Sequence, residues 1–152
     1  MKYTFEAEIN APREIAAALA GNPANRKEWM EGLESDEHLS GTPGKPGAKS
    51  QLVFQTGKAR ITMIGTVIAS NLPDELSETF DAPNVLTMAT TRFVALSPQK
   101  TKYISEQELQ FKGIFNKVVG FLLQREFKKQ TLTHMENFRR FAEKSLQQVE
   151  GS

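Results

Sequence analysis

Residues 115–149 read FNKVVGFLLQREFKKQTLTHMENFRRFAEKSLQQV, and this stretch decides the fold. It has no proline and one glycine, and its apolar residues recur at helical spacing between charged ones. That spacing is typical of an amphipathic helix. At 1.5 Å per residue the helix would be about 50 Å long, which exceeds the ~30 Å width of a small domain. We therefore predict that the rest of the chain forms a curved sheet that wraps around this helix.

Length and composition are those of an ordinary globular domain. The chain has 152 residues and a mass of 17.0 kDa, which is enough to bury a sizeable core. We expect residues 1–152 to form a single domain. Apolar residues make up 39% of the chain and charged residues 24%, and the net charge is only +1. Because such a balance provides no basic footprint, we expect no nucleic-acid partner.

Several classes of site and location are excluded by what the sequence lacks. Without cysteine there are no disulfides, thiolate nucleophiles or cysteine metal sites. The two histidines lie far apart, and no dinucleotide, phosphate-loop, zinc-protease or serine-hydrolase motif occurs, so we expect no metal and no cofactor. The N-terminus does not resemble a signal peptide, and no apolar run approaches the ~20 residues of a membrane span. We expect a cytoplasmic, soluble protein without an integral membrane segment.

The first part of the chain predicts a strand, two short helices and an edge strand. Residues 2–9 alternate between apolar and polar side chains, as a half-buried strand does. The Asn10-Ala11-Pro12 segment begins a helix that ends at Gly21, and Asn22-Pro23 begins a second that ends near Gly32. Residues 33–39 predict a polar edge strand. The loop at 41–47 is rich in glycine and proline, and we place it beside an opening.

Five further strands follow, at residues 48–55, 58–69, 75–81, 85–96 and 101–111. Pairing them about their turns sets Leu52 opposite Ile61 and Phe93 opposite Ser105. This register collects the large apolar residues on one face, and a one-residue slip would reverse the sorting. The predicted apolar face consists of Leu52, Phe54, Ile61, Met63, Val67, Leu76, Phe80, Ala89, Phe93, Tyr103, Leu109 and Phe111.

This order of elements resembles the START-like, or Bet v 1-like, superfamily (SRPBCC), and in particular its polyketide cyclase/dehydrase-like branch. Residues 9–15 resemble the family's opening of strand, Ala-Pro and helix. The Asn22-Pro23 pair followed by Trp29 resembles its second helix, residues 44–50 resemble its glycine-rich entry into the third strand, and Phe111-Lys112-Gly113 also fits. The resemblance implies an α+β helix-grip fold, in which a seven-stranded antiparallel sheet is wrapped around a long C-terminal helix, with two short helices after strand 1.

The resemblance also implies a cavity between the sheet and the C-terminal helix, because family members bind lipids, sterols, plant hormones or polyketides. The predicted inner face is mostly apolar with a few polar residues, as small-molecule pockets are, although a solid core would show the same pattern. We predict that the protein binds a small hydrophobic molecule that is lipid-, polyketide- or sterol-like. The predicted ligand-binding residues are Trp29, Phe54, Met63, Phe80, Thr91, Phe93, Tyr103, Gln107, Phe111, His134, Met135 and Phe138.

The polar residues on the inner face have two interpretations each. Thr91, Ser105 and Gln107 could orient a ligand carbonyl or hydroxyl, or they could satisfy one another. His134 flanks the apolar stripe of the long helix, where it could bind a ligand, carry a proton or have only a structural role. We expect His38, on the edge strand, to face solvent.

Two other functions stay open at this point. A polyketide cyclase or aromatase would need an inward acid–base pair, and His134 with Glu78 or Tyr103 is the only combination available. We assign no catalytic residue. A co-chaperone-like interaction module would need an apolar outer patch, for which Met88 and Val94 are candidates together with Ile104. The same patch could serve a homodimer.

Overall fold

The structure, a computed structural model, describes residues 1–114 and 117–150. Within them the chain forms the strands β1 (Lys2–Ile9), β2 (Leu33–Ser40), β3 (Lys49–Thr56), β4 (Ala59–Asn71), β5 (Glu75–Asp81), β6 (Val85–Ser97) and β7 (Lys100–Phe111). The helices are α1 (Arg13–Gly21), α2 (Arg26–Trp29), which follows a 3₁₀ turn (Pro23–Asn25), and α3 (Lys117–Glu150).

The seven strands form one antiparallel sheet in the order β1-β7-β6-β5-β4-β3-β2. The predicted polar edge strand is β2, at the end of this sheet. Helix α3 has 34 residues, which makes it about 51 Å long, and its middle part packs on the inner face of the sheet. The predicted helix-grip fold is confirmed. Residue 115, where the helix was predicted to begin, lies outside the described residues.

One buried cluster fixes α3 against the sheet. Met135, Phe138 and Ala142 of α3 pack with Phe93 of β6 and Tyr103 of β7, and all five side chains are buried. Helix α1 joins the same cluster from the side through two fully buried alanines, whose small side chains allow close approach. None of the described helices is both long and apolar enough to span a membrane.

The register differs from the predicted one by two residues in each hairpin, and by three in the part of β4–β5 that follows a β-bulge between Val67 and Ala69. Leu52 pairs with Met63 rather than with Ile61, because the β3–β4 loop consists of Gly57-Lys58, with a positive φ of 61° at Gly57. A shift of two keeps the side chains of the regular parts on their predicted faces, since side chains alternate with a period of two. The same shift pairs Phe80 with Gly65, and Phe93 with Tyr103.

Candidate ligand-binding cavity

A cavity of about 130 Å³ lies between the inner face of the sheet and the helices α2 and α3. Its apolar walls come from both sides, with Phe54, Phe80 and Tyr103 from the sheet and Trp29 and Met135 from the helices. The remaining apolar lining is Met30, Met63, Ala89 and Phe127.

Most of the predicted ligand-binding residues are brought together around this cavity. Those that line it are Trp29, Phe54, Met63, Phe80, Thr91, Tyr103, Gln107, His134 and Met135. Their role in binding stays a prediction.

Phe93, Phe111 and Phe138 do not line the cavity, in contrast to the prediction. Phe93 stacks on Tyr103 with ring centroids 5.5 Å apart, and Phe138 packs on the same tyrosine at 5.1 Å. Both are buried in the cluster that fixes α3. Phe111 packs on Phe127 at the end of the sheet. These side chains point to the correct face, but neighbouring rings fill the space around them.

Eight lining residues are absent from the predicted ligand-binding set: Met30, Phe127, Gln130 and Thr131 on the helical side, and Glu78, Thr87, Ala89 and Ser105 on the inner face of the sheet. The helical period carried the information for α3, because Thr131 and Phe127 lie one and two turns before Met135 on the same face. Met30 has no such periodic context, since it directly follows the last residue of the short helix α2.

A strip of uncharged polar side chains crosses the sheet side of the cavity. Thr91 and Ser105 are directly opposite each other on β6 and β7. Gln107 Nε2 donates a hydrogen bond to Ser105 Oγ at 3.0 Å. The predicted cluster of these three residues therefore exists, and Thr87 extends it.

A buried ionic cluster closes one side of the cavity, and the sequence did not predict it. Arg26 of α2 is buried and donates to Glu78 Oε2 at 3.1 Å and to Asp36 Oδ2 at 3.2 Å. The pKa of Glu78 is raised above its usual value. Burial is the main cause and the charge of Asp36 adds to it, while the Arg26 guanidinium opposes the shift. The Glu78 carboxyl is thus engaged by Arg26 at the cavity wall.

The other titratable groups of the cavity are neutral. Burial lowers the pKa of His134 to about 4, opposed by a hydrogen bond to the Glu31 backbone. Burial raises the pKa of the Tyr103 hydroxyl, and the nearby charge of Glu78 adds to the effect. At pH 7 the cavity therefore offers a neutral imidazole and a protonated phenol.

Two hydrogen-bonding atoms of the cavity residues are buried without a partner. Among the described residues, Trp29 Nε1 and His134 Nε2 are the buried side-chain atoms in this state. Their rings meet edge to face, with centroids 6.3 Å apart. Trp29 also packs on Phe138, and its backbone carbonyl accepts from Asn137 Nδ2 at 3.3 Å. Both orphaned atoms belong to side chains of the helical wall, and each has less than 1 Å² of accessible surface, so the empty space of the cavity does not reach them.

Comparison with solved structures identifies the architecture. The ZhuI aromatase/cyclase from Streptomyces sp. R1128 matches with a TM-score of 0.84 and 11% identity, over 96% of this chain and 95% of that chain. A START superfamily protein from Mycobacterium smegmatis matches with a TM-score of 0.73 and 12% identity, over 97% and 98% of the two chains. Ara h 8.0201 matches at 0.71 and 14% identity, over 93% and 98%.

This chain has the START-like, Bet v 1-like fold. The resemblance predicted from the sequence is confirmed at the level of the fold. No family model and no curated protein matches the sequence. At such low identities the START-like fold is all that the likeness shows, and function has to be argued from the site.

Within this START-like fold, the residues of the acid–base combination considered for a cyclase lie at the same cavity, but they do not form an acid–base pair. His134, Glu78 and Tyr103 all line the cavity, yet among the described residues no hydrogen bond joins any two of them. A histidine with a pKa of about 4 is a weak base at neutral pH. Glu78 is engaged by Arg26 instead.

The outer patch considered for an interaction module is not continuous. Met88 and Val94 are exposed on the outer face of β6, but six residues of strand, about 20 Å, separate them. Between them Arg92 forms ion pairs with Glu75 and Glu106. Ile104 of β7 lies directly opposite Arg92 in the strand pairing, and therefore beside these ion pairs.

A second, wider groove of about 410 Å³ lies outside the START-like cavity, between α2 and the edge strand β2. Pro43, from the loop predicted to lie beside an opening, lines it together with Asp36 and Ser50. His38 is exposed there and its Nε2 lies 2.7 Å from the Gly41 carbonyl oxygen. Arg26 lies between the two spaces, because Asp36 lines the groove and Glu78 lines the cavity.

Proposed function

We propose that this protein binds a small, uncharged, mostly apolar molecule in the cavity between the sheet and α3. The observation that carries the proposal is the lining, in which aromatic and methionine side chains surround a short strip of neutral polar groups. Walls of this composition are typical of small-molecule sites, in which a few polar groups fix the orientation of the ligand.

The size of the cavity sets the size of the ligand. Drug-sized ligands occupy pockets of about 300–1,000 Å³, whereas an apolar cavity of about 150 Å³ holds benzene. A cavity of about 130 Å³ therefore suits a single ring or a short chain. A lipid-, polyketide- or sterol-like ligand would require outward movement of side chains such as Trp29 or Phe127, which lie on the helical side.

The charges around the cavity favour a neutral ligand. The Glu78 carboxyl would repel an anion, and a cation would have to compete with Arg26, which already donates to that carboxyl at 3.1 Å. His134 and Tyr103 are neutral at pH 7, so they provide hydrogen-bonding groups without attracting ions. Neutral carbonyl and hydroxyl groups are the polar functions that match the site.

Filling the cavity tests this proposal. Ala89 lines the cavity, so Ala89→Leu should occupy part of its space and weaken binding of 4-methylphenol at least about tenfold in isothermal titration calorimetry. Ala95→Leu is the matched control, because Ala95 lies on the same strand and face but is exposed. Equal affinities of the two variants, or no binding by the wild type, would contradict the proposal.

A further inference from the structure

The two orphaned atoms of the cavity wall require an explanation. The great majority of buried polar atoms in native proteins have a hydrogen-bond partner, and leaving one unsatisfied costs stability. Among the described residues both exceptions belong to side chains that line one cavity and contact each other. An occupant of the cavity that bonds to both atoms would remove the cost.

The chemical character of the two atoms is complementary. The indole Nε1–H of Trp29 can only donate. The neutral ring of His134 bonds to the Glu31 backbone, and since Nε2 has no partner, the nitrogen involved is Nδ1. A proton on Nδ1 leaves Nε2 as an acceptor. The two side chains thus carry one donor and one acceptor, which a ligand reaches once either ring shifts aside.

Resting on the proposed function, we propose that Trp29 Nε1 and His134 Nε2 form a subsite for a ligand hydroxyl. The hydroxyl oxygen accepts from the indole, and its hydrogen is donated to the imidazole. A hydroxyl is the smallest neutral group on an organic ligand that does both. An ether oxygen can only accept, and a hydrocarbon can do neither. Because the surrounding walls carry Phe54, Phe80 and Tyr103, the ligand class is a hydroxylated ring, such as a phenol.

The side chain of Trp29 provides a direct readout, because it is the only tryptophan of the chain. Its indole N–H gives a single resonance in a proton–nitrogen correlation spectrum. We would titrate the full chain with three probes of nearly equal size: 4-methylphenol, methoxybenzene and 1,4-dimethylbenzene. We expect 4-methylphenol to bind about tenfold more tightly than the dimethylbenzene, and to move the indole proton downfield. Methoxybenzene should bind with intermediate affinity.

Two substitutions locate the preference at the subsite. Trp29→Phe removes the donor but keeps a ring, and His134→Asn keeps a donor for Glu31 while removing Nε2. Each should reduce the preference for 4-methylphenol over dimethylbenzene to about threefold or less. His38→Asn is the control, because His38 lies in the outer groove and should leave the preference unchanged. If a variant does not fold, the three-probe comparison on the wild type still decides.

The outcomes separate this inference from the proposed function. Equal binding of 4-methylphenol and dimethylbenzene, with an unmoved indole resonance, would overturn the hydroxyl subsite and leave the apolar cavity standing. Methoxybenzene binding as tightly as 4-methylphenol would overturn the acceptor role of His134, and the subsite with it. Failure of all three probes to bind would overturn the proposed function itself.

Discussion

At the scale of single residues, the buried Arg26 is the feature that sequence reasoning could not find. It lies in a four-residue helix between polar neighbours, where an arginine ordinarily faces solvent. Its burial results from tertiary packing, which brings Glu78 of β5 and Asp36 of β2 to one guanidinium. Both partners are distant from Arg26 along the chain, so no local sequence pattern indicates that they meet.

Removing Arg26 should destabilise the protein because two carboxylates would lose their cation. We expect Arg26→Met to lower the free energy of unfolding by about 3 kcal/mol in urea denaturation. The control is Arg60→Met, since Arg60 pairs with Glu34 at the surface with 70% of its side chain exposed. That variant should change stability by less than about 0.5 kcal/mol. Similar losses in the two variants would argue against the buried cluster.

His134 should make stability fall in mild acid. Its pKa is about 4 in the folded protein against 6.5 ordinarily, so below pH 6.5 the unfolded chain takes up a proton that the folded protein refuses. Its contribution is therefore present above pH 6.5 and is lost as the pH falls toward 4. Between pH 7 and 4.5 the wild type should lose about 2 kcal/mol more than His134→Asn in urea denaturation.

Glu78 acts in the opposite direction, which makes the comparison necessary. Its raised pKa means that the folded protein takes up a proton more readily than the unfolded chain, so this group adds stability as the pH falls. Both proteins carry Glu78, and the difference between them isolates His134. Parallel pH profiles for the wild type and His134→Asn would contradict the neutral, buried imidazole.

At the scale of elements, α3 consists of two unlike parts. Its first turns expose large apolar side chains, with Val118 at 68%, Phe121 at 63% and Leu122 at 50% exposure. Later turns place Phe138 and Ala142 in the core at 0%. The helix is therefore held by its middle and C-terminal turns, where it meets the sheet and α1.

Matched phenylalanine substitutions on α3 should reveal this division. We expect Phe138→Ala to lower the free energy of unfolding by about 3–5 kcal/mol, because a fully buried ring leaves a cavity among Trp29, Phe93 and Tyr103. Phe121→Ala should change it by less than about 0.5 kcal/mol. Urea denaturation of both variants measures the contrast, and equal effects would mean that the two parts of α3 pack alike.

The sequence predicted the faces of the strands better than their alignment. Alternation of apolar and polar residues determines which face each side chain occupies, and that prediction survives a shift of two residues. Alignment depends on which residues form each turn, as at Gly57-Lys58, where either of two neighbouring positions could turn the chain. The sequence pattern does not distinguish the two turns.

At the scale of the whole molecule, the fold was predictable and the cavity was not. The order of elements and the long amphipathic helix are enough to predict the helix-grip architecture. Whether the inner face is packed or hollow depends on side-chain volumes in three dimensions. Phe93 and Phe80 follow the same alternation, yet the first lies in the packed core and the second lines the cavity. Volume of this kind is not encoded in a periodic pattern.

The central claim is that a small apolar molecule binds between the sheet and α3, and methionine methyl resonances test it most directly. Of the five methionines, Met30, Met63 and Met135 line the cavity, whereas Met1 and Met88 are exposed at 48% and 42%. Titration of methyl-labelled protein with 4-methylphenol should move the three cavity resonances together and leave the two exposed ones in place. Unmoved cavity resonances at saturating probe, or shifts only at Met1 and Met88, would contradict the account.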